Sequence, residues 1–156
     1  MNSISHELYD KDFYQWTLKN AELLRQKKLE QIDIENLAEE IESMGKREKR
    51  ALISHLAVLI AHLLKLQHKE KHVKRKYEEG QSTTSWKSSI KNARRELLRL
   101  LKESPSLKNH LELNLNEAYE DGVIKACDDT GMVEYDFPKN CPFTLEECLD
   151  NNFFPD

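Results

Sequence analysis

A chain of 156 residues suits one compact domain with a single core. Only four Gly and four Pro, set among abundant Leu, Glu, Lys and Ala, leave too few turns for an all-β or α/β fold, so the class is all-α. The net charge of −4 hides a division: residues 46–102 carry 16 Lys and Arg against 5 Asp and Glu, between acidic flanks. Either acidic and basic helices neutralise one another in the fold, or the basic helices form a patch for phosphate.

In chain order, the N-terminus MNSISHELYDKDF has neither the basic flank nor the apolar stretch of a secretory signal, and a cytoplasmic location is expected. Asp10 is placed to cap a first helix over 10–28, with Phe13, Trp16, Ala21 and Leu24 at helical spacing. Asp33 caps a second, over 33–45, with Ile34, Leu37, Ile41 and Met44 on one stripe that ends or kinks at Gly45. A third spans 46–72 and includes the most apolar segment, Ala51 to Leu66. Ser54, His55, His62 and Lys65 interrupt that segment, and sixteen residues are too few to span a bilayer, so a buried central helix and no membrane are expected. The stretch KHVKRKYEEGQSTTS reads as a loop. A fourth helix, 85–103, turns Trp86, Ile90, Ala93, Leu97, Leu100 and Leu101 inward. Ser104-Pro105 starts a fifth, 105–130, which stops at Gly131 and carries the small residues Ala118, Gly122 and Ala126 on one stripe. The tail 131–156 is irregular apart from one short helix with a Thr144/Glu147 capping box. Cys127, Cys141 and Cys148 lie in no CxxC pair, as expected of free thiols in a reducing compartment. The expected architecture is a single bundle of five main helices with a pinned tail.

Helical geometry singles out a few polar groups at the borders of apolar faces. Stepping 100° per residue puts Glu40 beside Leu37 and Met44, brings His55 and His62 within about 20° of each other, and sets Arg94 among Ile90, Leu97, Leu98 and Leu101. A partly buried charge needs a partner, so Glu40, His62 and Arg94 are candidates for one polar cluster, with Trp86 packed beside it. Such a cluster either fixes helix register or forms a functional pocket. The E-x-x-H spacing of carboxylate-bridged metal bundles is absent, and neither metal nor cofactor is expected. Lys46, Arg47, Lys49, Arg50, Lys74 and Arg75 are the candidate nucleic-acid patch. Arg50 and His55 also match the R-x4-6-H spacing of metal-independent ribonucleases of the helical HEPN superfamily, a spacing that chance also supplies, and Ala51 replaces the usual polar residue.

Several stretches in order give the chain a family likeness. They are Asp12-Phe13-Tyr14 with Trp16, Leu24-Arg25, Asp33 to Ile41 with Met44-Gly45, His62-Leu-Leu-Lys65, and Ser85-Trp86 with Ile90 and Arg94. Ser104-Pro-Ser-Leu107, Tyr119, Thr130-Gly131 and Cys141-Pro142 complete the set. On these residues the chain resembles the bacterial family called domain of unknown function 29, from Tyr9 to Pro155. Leu66, Gly122 and Asp129 depart from that family's habits in ways that touch packing more than chemistry. The resemblance implies a compact helical fold and carries no activity, substrate or ligand. A non-enzymatic interaction or accessory module is the expected function, with its partner, a protein or a nucleic acid, left open. The alternative is a nucleic-acid-binding protein or a ribonuclease.

Overall fold

The computed structural model describes residues 3–69 and 83–156. It is all-α, with no strand among the described residues. The helices are α1 (Ser3–Lys11), α2 (Phe13–Arg25), α3 (Ile34–Gln67), α4 (Thr83–Glu103), α5 (Leu107–Leu113), α6 (Leu115–Thr130) and α7 (Leu145–Leu149), with 3-10 turns at Leu29–Gln31 and Glu134–Asp136. The chain forms two compact units, Met1–Glu48 and Lys49–Asp156, whose boundary falls inside α3.

Four of the expected helix boundaries are corrected. A cap at Asp12, whose carboxylate accepts from the Gln15 N–H at 3.0 Å, starts α2, so the stretch expected to open at Asp10 divides into α1 and α2. The end of α2 comes before Lys28, with Lys27 in the left-handed region at φ 58°. The Lys28 N–H returns to the Leu23 carbonyl and the Lys27 N–H to the Leu24 carbonyl, each at 3.0 Å, which closes a Schellman cap. The two helices expected over 33–45 and 46–72 are one: α3 passes through Gly45 unbroken, because a glycine with helical φ costs a helix only about 1 kcal/mol and its neighbours are good helix formers. The expected end at His72 lies outside the described residues. Over 105–130 the reverse holds, and Asn114 separates α5 from α6. Its side-chain amide donates to the His110 carbonyl at 2.7 Å, competing for an acceptor that a continuing helix would use.

The core sits in the second unit. Leu52, Leu56, Leu59, Ile60, Leu63 and Leu64 of α3 are wholly buried in one cluster with Ile90 and Leu97 of α4, Leu111 of α5, Ala118 and Ala126 of α6, and Phe143, Leu145 and Cys148 of the tail. Each large side chain taken from water contributes about 1.5–3 kcal/mol. The small-residue stripe works as the spacing predicts. A Cβ on Gly122 would stand 3.0 Å from the Ala57 carbonyl and from Ile60 Cγ2, so α6 lies directly on α3. Although α3 is long and apolar enough to cross a bilayer, 56% of that stretch is buried inside the protein.

The first unit is organised by polar groups. Asp33, at the start of α3, accepts from Trp16 Nε1 at 3.2 Å and Asn36 Nδ2 at 2.8 Å, while its own N–H donates to Asn20 Oδ1 at 3.0 Å. Asn20 in turn donates to the Trp16 carbonyl at 2.9 Å. Burial pushes the Asp33 carboxyl up, but the N–H donors of Asn36 and Trp16 outweigh it and hold the group below the usual carboxylate range. The stripe expected to face a core is uncovered: Ile34, Ile41 and Met44 are 63%, 60% and 59% exposed.

Candidate functional site

The four polar candidates find different partners. Glu40 is held within the first unit, where its carboxylate accepts the Tyr9 phenol at 2.6 Å and lies 3.9 Å from the Arg47 guanidinium. That hydrogen bond, with the nearby carboxylate charges, pushes the Tyr9 hydroxyl up to about 12. The Tyr9 ring also meets Phe13 and Trp16 edge-on.

Arg94 is completely buried in the second unit and serves the C-terminal tail. Its Nε donates to the Cys148 carbonyl at 2.7 Å, and one terminal nitrogen donates to the carbonyls of Glu147 (3.2 Å) and Phe153 (2.7 Å). Phe154 stacks its ring 5.2 Å from the guanidinium carbon. The carbonyls of Glu147 and Cys148 belong to the last turn of α7, where no further turn exists to use them, and a cation is favoured at that end of the helix. One arginine therefore fastens a five-residue helix and the irregular chain end that follows it. The other terminal nitrogen, Nη1, is buried without a partner among the described residues.

His62 and Trp86 meet a different charge, one that helical geometry alone did not select. Lys65, buried one turn after His62, donates to Asp129 of α6 at 2.7 Å, and its ammonium lies 6.0 Å from the centre of the Trp86 ring. Burial of a lysine in this way is tolerable only because the carboxylate and the ring face replace water. The clue in the sequence was Lys65 itself, a lone ammonium inside an aliphatic run. Half-buried His62 keeps a buried Nδ1 without a partner among the described residues. Burial, then the Lys65 charge, lowers its pKa to about 4 against a smaller upward pull from Asp129. At neutral pH this imidazole is uncharged, so it is no proton donor of the imidazolium kind.

His55 is half-buried on α3, and five helical steps set it about 140° around the axis from exposed Arg50. The helix thus does not offer the two as a pair. Lys46, Arg47, Lys49 and Arg50 are all exposed, and Lys74 and Arg75 lie outside the described residues. Among the described residues no three His, Cys, Asp or Glu side chains gather to hold a metal ion. Burial pushes the Cys148 thiol up to about 12, which makes it an unreactive packing group.

Sequence reasoning also missed a cleft of about 620 Å³ between α6 and the tail, with Tyr119, Val123, Ile124, Tyr135 and Phe137 in its lining. The Tyr119 hydroxyl closes one wall by donating to the Pro138 carbonyl.

Fold and site together define an all-α protein whose buried polar side chains fasten its own elements to one another. The chain belongs to the family described as domain of unknown function DUF29, whose model matches residues 8–154. No curated protein and no solved structure matches it.

Proposed function

We propose that this protein is a non-enzymatic interaction module, at work in a reducing compartment, that docks the helical surface of a protein through the apolar side chains left open in residues 13–44. The supporting observation is the exposure of Tyr14, Leu18, Leu29, Ile34, Ile41 and Met44, each about half or more open to solvent in a unit that buries few apolar groups of its own. Apolar side chains left exposed in such number mark interaction sites where they adjoin. The buried polar groups fit the same reading: Arg94 is engaged by backbone carbonyls and His62 is held neutral. A photo-crosslinking side chain at position 41 tests it in the host cell, with position 99, on the exposed face of α4, as control. Discrete protein adducts at 41 and none at 99 are expected, and equal or absent adducts at both positions overturn the reading.

A second reading, nucleic-acid binding, rests on the four exposed cations Lys46, Arg47, Lys49 and Arg50. RNA retention that falls steeply with salt supports it, and no retention at low salt removes it. Glu40 weighs against it, because that carboxylate already draws Arg47 to 3.9 Å. RNA cleavage that survives EDTA and vanishes in His55→Ala would favour the ribonuclease variant.

A further inference from the structure

We propose that the partner of the α3 stripe is a second copy of this chain, paired antiparallel along Leu37 to Glu48; the inference rests on the interaction-module reading and names its occupant. Ile34, Leu37, Ile41 and Met44 follow one another at steps of three, four and three, the spacing of a coiled-coil seam, and span an arc of about 80° around α3. Three of the four are exposed, and Leu37 is half-buried. The chain's own packing uses the neighbouring face, where Asn36 is buried and Glu40 meets Tyr9. Among the described residues the stripe is therefore open to another molecule.

Its edges say which molecule. Glu40 and Arg47 border one side of the seam, as their 3.9 Å approach within the chain shows. Ala38 and Gly45 border the other, and a Cβ on Gly45 would meet nothing within 4 Å. Among the described residues nothing packs closely enough to require that glycine, which costs the helix about 1 kcal/mol against alanine. An antiparallel copy centred between residues 42 and 43 gives each feature a match. Ile41 layers on Met44 of the second copy, Glu40 faces Arg47 of the second copy on both sides of the two-fold axis, and Ala38 meets Gly45, so the backbones can approach. A surface that complements itself in this way is what a two-fold dimer needs. Parallel pairing would set Glu40 and Arg47 against uncharged positions and lose the match. Glu48 takes the next seam position and ends the apolar run, leaving its aliphatic stem to cover Leu37 of the second copy. The interface is short and the dimer reversible.

Light scattering on the full chain across a range of concentrations is the direct test. A mass rising from that of one 18.4 kDa chain towards twice that value is expected. Ile41→Glu or Met44→Glu should return it to one chain with the helical circular dichroism unchanged. Glu40→Arg or Arg47→Glu alone should weaken pairing about tenfold, and the double exchange should restore it. Because Glu40 also binds Tyr9, a second measurement avoids that residue: a chain with Ala38→Cys and Gly45→Cys is oxidised and run without reductant. Seven helical residues separate the two positions by about 10.5 Å, too far for a bond within one chain, so a species of twice the mass that forms with the double variant and with neither single variant reports antiparallel register. A single-chain mass at every concentration, with no cross-link beyond that of the unmodified protein, overturns the inference. If the adduct at position 41 then contains a different protein, the interaction-module reading stands without it; if that adduct is also missing, both fall.

Discussion

Residues 1–48 and 49–156 treat their apolar side chains in opposite ways. The first unit buries Trp16, Leu23 and Ile32 and leaves Phe13, Tyr14, Leu18, Leu24, Leu29, Ile34, Ile41 and Met44 open. The second buries nearly every large aliphatic residue of α3 from Leu52 to Leu66, together with the inward faces of α4 and α6. Polar groups differ too. Carboxylates at the start of α3 and at Glu40 gather aromatic and amide donors in the first unit, whereas the second uses two buried cations, Lys65 and Arg94, to tie α6 and the tail to the core. The same continuous helix serves both. Its lining changes from solvent to core partway along, which teaches that helix periodicity reports a capacity for burial and leaves the occupant open.

Perturbations of the two units should therefore differ in kind, and the largest belong to the second. Arg94→Met leaves the carbonyls of Glu147, Cys148 and Phe153 without their donor and should cost about 3 kcal/mol or more, read in urea unfolding and as early hydrogen exchange over 145–154. Unchanged stability would mean that the tail is not fastened through this residue.

His62 supplies a pH dependence. The folded ring has a pKa of about 4 against 6.5 unfolded, so the unfolded chain takes up the proton first. Stability present above pH 6.5 is then lost as pH falls towards 4, by up to about 3 kcal/mol, and His62→Leu should flatten that part of the profile relative to the unmodified protein. Parallel profiles for the two proteins would contradict the burial of the ring.

Gly122→Val should cost about 1–3 kcal/mol, because the added carbons meet the Ala57 carbonyl and Ile60, and a backbone oxygen cannot move aside as a side chain can. A shift in thermal midpoint checks it. The smallest effect belongs to the first unit, where Lys27→Gly should stabilise by about 0.5–1 kcal/mol by relieving a left-handed lysine in the α2 cap. If that change instead altered the second unit's unfolding as strongly as Arg94→Met does, the contrast between the units would be wrong.

Much of the local structure was legible from the sequence. Gly131 stops α6 with φ 70°, Thr144 and Glu147 exchange both bonds of their capping box, and Trp86, Ile90, Ala93, Leu97 and Leu100 all face inward as their spacing requires. Burial of Arg94 and the border position of His62 were also readable, since both follow from angle around a helix. Their partners were not. Arg94 binds backbone carbonyls far along the chain, and any residue type at 147, 148 or 153 supplies the same carbonyl, so no side-chain pattern announces it. Lys65 and Asp129 form their pair across 64 positions, a separation that local spacing cannot address.

The sequence by itself determined that this chain is helical, where several helices are capped or stopped, and which residues are able to face an apolar neighbour, because caps, glycine and 3.6-residue periodicity act within a few bonds. Tertiary structure alone decided which apolar stripes are covered and which charges meet. Those outcomes depend on the relative placement of elements distant in sequence, where burial of one face competes with burial of another.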